Sequence, residues 1–161
     1  MNIKKIAVYF AVGLSVLSLK PAVPSEAIEP APAKPFVSVS RGLCLSREEF
    51  YLLARLIHAE ARGEPLEGQV AVGAVVFNRL KDPRFPKTIT GVIYEDYQFT
   101  PVLDGTIELT PDAQAFLAAE LALNGLDPAN GSIFFYNPDQ SESRWLDGLP
   151  SSLKIGKHIF C

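Results

Sequence analysis

Histidine and cysteine are scarce in this chain, two of each among 161 residues. His58 and His158 stand far apart, and Cys44 and Cys161 flank the region that looks foldable. No Cys/His cluster with ligand spacing results, so neither a zinc site nor any other metal or cofactor is expected. An excess of positive charge is also missing, with 15 Lys and Arg against 18 Asp and Glu for a formal charge of −3. That balance argues against nucleic acid or an anionic membrane surface as the partner. The longest apolar run, Ile6 to Leu19, is shorter than the roughly 20 residues a membrane span requires. No internal repeat is visible, and no second domain.

The apolar run instead reads as an export signal. Lys4 and Lys5 precede it, and Ser25-Glu26-Ala27 places small residues where a signal peptidase cuts, so residues 1–27 are expected to be removed. An uncleaved N-terminal anchor is the alternative, because prolines crowd the cleavage region. Loss of Lys4, Lys5, Lys20 and Glu26 takes the charge from −3 to −5. Residues 28–42, with Pro30, Pro32 and Pro35 among alanines, bury too little apolar area to offset their ordering entropy and read as a tether. Residues 43–161 then form one domain of ordinary size, expected to be an exported monomer. In an oxidising compartment Cys44 and Cys161 could clasp both ends of it, worth roughly 4 to 5 kcal/mol in the chain-entropy picture. Two free thiols are the other reading.

Helical periodicity dominates that domain. Ser46 with Glu49 forms a capping box opening a helix to Ala61. Leu66 to Leu80 is apolar nearly all round and should be the buried central helix, with Gly73 allowing a neighbour close. Thr88 to Tyr94 is a short helix, and Glu95 to Ile107 a functional loop. Thr110-Pro111 and Asn124-Gly125 delimit a further helix over Asp112 to Leu123. Ile133 to Tyr136 and Lys157 to Phe160 are β-prone and should pair as an antiparallel ribbon around the Asn137 to Gly156 loop. The fold class is α+β, mostly helical.

Glu60 is the residue that carries chemistry. The stripe Leu53, Leu56, Ile57 on the first helix runs into it at the next i+3/i+4 step. A carboxyl on a core-facing stripe loses water, which disfavours its charged form and raises its pKa. Such a group stays protonated near neutral pH and can donate a proton. A buried ion pair with Arg55 or Arg62 is the competing explanation.

The ordered set Ala59-Glu60-Ala61-Arg62-Gly63-Glu64-Pro65-Leu66-Glu67-Gly68-Gln69-Val70-Ala71-Val72, Asn78-Arg79, Gly91-Val92-Ile93-Tyr94, Gln98-Phe99-Thr100-Pro101-Val102, Asp104-Gly105, Phe135-Tyr136-Asn137-Pro138, Trp145 and Ile155-Gly156-Lys157-His158-Ile159-Phe160 resembles the SleB/CwlJ-type cell-wall hydrolases. These are the spore cortex-lytic enzymes and their relatives. The resemblance covers nearly all of Ser46 to Phe160 and implies a lysozyme-related, lytic-transglycosylase-like domain that cleaves peptidoglycan of spore cortex or vegetative wall. It also implies that Glu60 is the essential acid. Two departures stand out: a proline-rich tether where some members carry a peptidoglycan-binding repeat, and Lys157 where the motif often has asparagine.

On that reading Glu60 protonates the glycosidic oxygen between N-acetylmuramic acid and N-acetylglucosamine. The same carboxylate then withdraws the C6 hydroxyl proton while that oxygen closes a 1,6-anhydro ring. A hydrolytic route would need a second carboxylate, for which Glu64, Glu67, Asp96 and Asp104 are candidates. A local backbone hydrogen bond explains Asp104 equally well. Gln98, Thr100, Tyr136 and Asn137 suit sugar hydroxyl and acetamido groups. Tyr94, Phe99 and Trp145 offer flat faces, with Trp145 best placed as an exposed platform and Phe99 equally at home in a core. The alternatives in other classes are a binding module without turnover, a zinc amidase or peptidase, which lacks ligands, and an exported structural or inhibitor protein, for which a carboxylate on an apolar stripe has no use.

Overall fold

The computed structural model describes residues 45–140 and 153–161. The export segment, the tether, Cys44 and Trp145 lie outside these residues.

Ser46 starts the first helix, α1 (Arg47–Ala61), by the expected reciprocal pair: its hydroxyl accepts from the Glu49 amide at 3.1 Å, and the Glu49 carboxylate accepts from the Ser46 amide at 3.1 Å. Two orphan amides at the helix start are thereby satisfied. One face of α1, including Leu53, Ala54, Leu56 and Ile57, is fully buried. α2 (Leu66–Lys81) follows after a turn in which Gly63 takes φ +87. It is buried without a break from Gly68 to Arg79, which accounts for its nearly all-apolar sequence. α5 (Ala113–Leu123) packs across both.

Gly73 marks where the three helices meet. A Cβ there would lie 3.0 Å from both the Ala122 Cβ and the Ile57 Cδ1. A bulky side chain must therefore push α5 or α1 away. Gly73→Val should lower stability by about 2 kcal/mol, the usual penalty for overpacking a filled core. Unchanged urea midpoints would show that the helices have room to spare.

Three details depart from the sequence expectations. The stretch from Glu95 to Ile107 is not all loop: it holds α4 (Thr100–Asp104), closed by Gly105 at φ +82, and a 3₁₀ turn at Thr106–Glu108. Pro101 sits in the first turn of α4, where its missing N–H costs nothing. A five-residue helix is too short to print a periodicity. The start of α5 is likewise displaced, since Asp112, not Thr110, is the cap, accepting from the Ala115 amide at 2.8 Å. Finally, among the described residues the ribbon has three strands. β1 (Phe135–Tyr136) and β3 (His158–Phe160) pair antiparallel as expected, but β2 (Leu153–Ile155) joins the other side of β3 from within the expected loop. The short helix α3 (Ile89–Ile93) falls inside its expected span.

The registers Phe135 to Phe160 and Ile155 to His158 fix which side chains face the helices. Phe160 and Ile155 enter the core, and Cys161 extends the pairing by exchanging backbone hydrogen bonds with Phe134. The Cys161 thiol is free, and burial raises its pKa. The ribbon thus lies against the helical core, with its β1–β3 side beside the end of α1.

Candidate active site

Glu60 occupies the last turn of α1 and opens onto a cleft of about 450 Å³, a volume suited to a small ligand or a few sugar rings. The expected partners converge on the same space. Gln98 and Thr100 reach it from the start of α4, and Tyr136 and Asn137 from the end of β1. These two elements come from distant parts of the chain, so the cleft exists only once the ribbon has docked.

Burial pushes the Glu60 carboxyl up to about 7, its largest cause being desolvation. The negative charge of Asp104 adds to the rise, and the Arg79 guanidinium opposes it. No hydrogen bond from the described residues contributes. The acid is therefore held half-protonated near neutrality by its partial burial rather than by a tight pair.

The competing ion pairs go elsewhere. Arg55 pairs with Glu108 and donates from Nε to the Ile107 carbonyl, tying α1 to the 3₁₀ turn. Arg62 is exposed beyond the helix end. Among the described residues Glu60 is the only carboxylate lining the cleft. Glu64 accepts from the Lys157 amide at 2.9 Å and so ties the α1–α2 turn to the β2–β3 turn. Glu67 lines a separate, mainly apolar groove between α2 and the end of α5. Asp96 is exposed. Asp104 accepts from the Thr106 amide at 2.9 Å and its hydroxyl at 2.7 Å, and these bonds hold its pKa low. It acts on Glu60 as a fixed negative charge.

Phe99 is a core residue, 2% exposed, and Tyr94 does not line the cleft. His58 is buried between α1 and α5, its Nδ1 accepting from the Asp112 amide at 3.4 Å. Five side chains of the cleft were not foreseen as site residues: Arg79, Tyr97, Phe135, Gln140 and His158. Arg79 is 3% exposed, donates from Nε to the Ile133 carbonyl at 2.7 Å, and lies 4.9 Å from the ring centres of both Phe85 and Phe99. Aromatic faces compensate part of the desolvation of this cation, whose pKa falls to about 10 and leaves it charged at neutral pH. A cation just past the apolar run of α2 was the signal that could have found it. Tyr97 stands on the rim at φ +61 and 86% exposed, a backbone conformation its sequence does not announce. His158 is set on the cleft wall by the β3 register.

The helical core with the ribbon docked against it is the fold of solved catalytic domains. The fold matches the catalytic domain of the germination-specific lytic transglycosylase SleB from Bacillus anthracis with a TM-score of 0.69 and 44% identity, covering 76% of this chain and 99% of that one. The Cell Wall Hydrolase family model matches residues 63–161, beginning just past Glu60. The chain belongs to the cell wall hydrolase family. It is 49% identical over 116 residues to the spore cortex-lytic enzyme of Halalkalibacterium halodurans, across 72% of this chain but 35% of that protein. It is also 35% identical to the cell wall hydrolase CwlJ of Bacillus subtilis, spanning 68% of this chain and 81% of the relative.

Proposed function

We propose that this chain cleaves the β-1,4 bond between N-acetylmuramic acid and N-acetylglucosamine in peptidoglycan, as a lytic transglycosylase of the cortex-lytic type. The observation that carries the reading is Glu60, the one carboxyl among the described cleft residues, with its pKa raised to about 7. In its acid form Glu60 gives its proton to the glycosidic oxygen as the C1–O bond breaks and positive charge grows on the sugar ring. The carboxylate left behind, partly withdrawn from water, stabilises that charge. It then accepts the proton of the C6 hydroxyl as that oxygen bonds to C1, which returns Glu60 to its starting state. No second carboxylate is needed, because the nucleophile belongs to the substrate.

Gln98, Thr100, Tyr136 and Asn137 would hold sugar hydroxyl and acetamido groups, with Trp145 as a stacking platform. Arg79 lies close enough to steady the ionised form of Glu60 between the two proton transfers. An exported monomer fits this work: residues 1–27 act as the signal peptide, 28–42 as the tether and 43–161 as the working domain, in spore cortex or cell wall.

Mass spectrometry of muropeptides released by the full chain tests the route. Products ending in 1,6-anhydromuramic acid are expected. Reducing muramic acid ends would mean that water attacks C1, and would require a second carboxylate to be brought to the cleft. Reducing N-acetylglucosamine ends would place the cut at the wrong bond.

A further inference from the structure

We infer that His158 is a substrate-binding residue of this cleft, donating a hydrogen bond from Nε2 to the carbonyl oxygen of a 2-acetamido group on the bound amino sugar. The inference rests on the glycan-cleaving reading above and adds to it a residue and a recognised group.

His158 opens β3 opposite Ile155, and only 7% of it is exposed, yet it lines the cleft. Its ring is held on edge by Phe135 at 5.5 Å and 86°, with Phe160 at 6.2 Å. Among the described residues Nδ1 is buried without a hydrogen-bond partner, which leaves Nε2 as the nitrogen able to meet a ligand in the cleft.

An imidazole so placed has to choose a proton site. Burying an N–H with no acceptor is among the rarest arrangements in folded proteins, while an unused lone pair is better tolerated. The proton therefore sits on Nε2, where the cleft offers an acceptor. A second proton on Nδ1 would put a charge into the buried side, and burial accordingly lowers the pKa of this histidine. Glu64 pulls the other way, Lys157 with the burial. The result is a neutral donor, stiff and single-pronged.

The choice of ligand follows from the surrounding groups. An anionic group on His158 would lie across the cleft that Glu60 must enter as a carboxylate, and would raise the Glu60 pKa further. The cleft's one cation, Arg79, is engaged by the Phe85 and Phe99 rings and by the charge of Glu60, and the polar groups left for a ligand include the amides and hydroxyls of Gln98, Asn137 and Thr100, suited to neutral partners. An amide carbonyl is the strongest neutral acceptor an amino-sugar strand offers, and its companion N–H can be taken by a side-chain carbonyl of Gln98 or Asn137.

The test begins with the unsubstituted full chain, labelled with ¹⁵N. Imidazole spectra at neutral pH should show His158 protonated at Nε2 and bare at Nδ1. The Nε2 resonance should move on addition of an N-acetylglucosamine oligosaccharide, and stay in place with the de-N-acetylated oligomer. Removing the donor with His158→Phe should raise KM roughly tenfold at nearly constant kcat, the signature of a lost binding contact. His158→Gln, whose amide nitrogen falls near the Nε2 position, should recover most of that loss. An Nδ1-protonated ring, equal responses to both oligomers, or an unaltered KM in a folded His158→Phe protein would overturn the inference. An unsubstituted full chain that releases no muropeptides from peptidoglycan would overturn the glycan-cleaving reading instead, leaving the imidazole result to be judged by itself.

Discussion

Replacing Glu60 by glutamine should reduce release of soluble fragments from purified peptidoglycan on the order of 10³-fold, within the span assigned to a single general acid–base group. Glutamine has the size and neutrality of the protonated acid but holds no transferable proton. Strand binding should therefore survive while bond cleavage is lost, and co-sedimentation with insoluble wall separates the two. A domain that only binds glycan would clear a wall suspension equally slowly with either side chain. Cleavage by the unsubstituted protein should also fall as pH rises through about 7, since the acid form of Glu60 is depleted there. A rate that climbs across that range would mean that the ionised group starts the reaction.

The position of that pH limb reflects a balance of three causes. Desolvation alone moves Glu60 upward, Asp104 moves it further, and Arg79 restrains it. The two charges arrive from separate elements, α4 and α2. Each is itself immobilised, Asp104 by Thr106 and Arg79 by the Ile133 carbonyl and aromatic faces. Fixed charges act on a reacting group without having to reorganise during the reaction. The short α4 and the 3₁₀ turn thus do more than connect helices, because they hold a negative charge near the acid.

How much of this was readable beforehand depended on the length of the pattern involved. α1 showed an apolar stripe, α2 a nearly all-apolar run and α5 its delimiting pairs, and the Ser46–Glu49 box announced where the first begins. Glu60 was legible for the same reason, as the end of an apolar stripe. Gln98, Thr100, Tyr136 and Asn137 were chosen for their chemistry and their motif, and the fold does bring them to one cleft with Glu60. α4 and β2, of five and three residues, left no pattern to read. Arg79 and His158 escaped for a different reason: their roles come from docking partners far away in sequence, the 133–135 segment in both cases. Local periodicity reports which face a residue takes, and is silent on what the tertiary fold places opposite it.

The second large effect concerns stability. In the folded state Glu60 titrates at about 7, against 4.5 for the unperturbed group. The sign follows from proton binding: between those two pH values the folded chain keeps a proton that the unfolded chain releases. Wild-type stability is unaffected by this group below pH 4.5, falls as pH rises toward 7, and levels off above it. Glutamine cannot ionise and escapes the whole decline. Glu60→Gln should accordingly match the wild type in urea unfolding at pH 4 and exceed it by about 3 kcal/mol at pH 9, since each pKa unit corresponds to about 1.4 kcal/mol. The variant that gains at high pH is the one expected to lose turnover, as happens when a reactive group is kept in a site that disfavours its charge. A stability difference that stays constant from pH 4 to 9 would mean that Glu60 ionises as freely in the folded protein as in water. The dry acid on which the proposed reaction depends would then not exist.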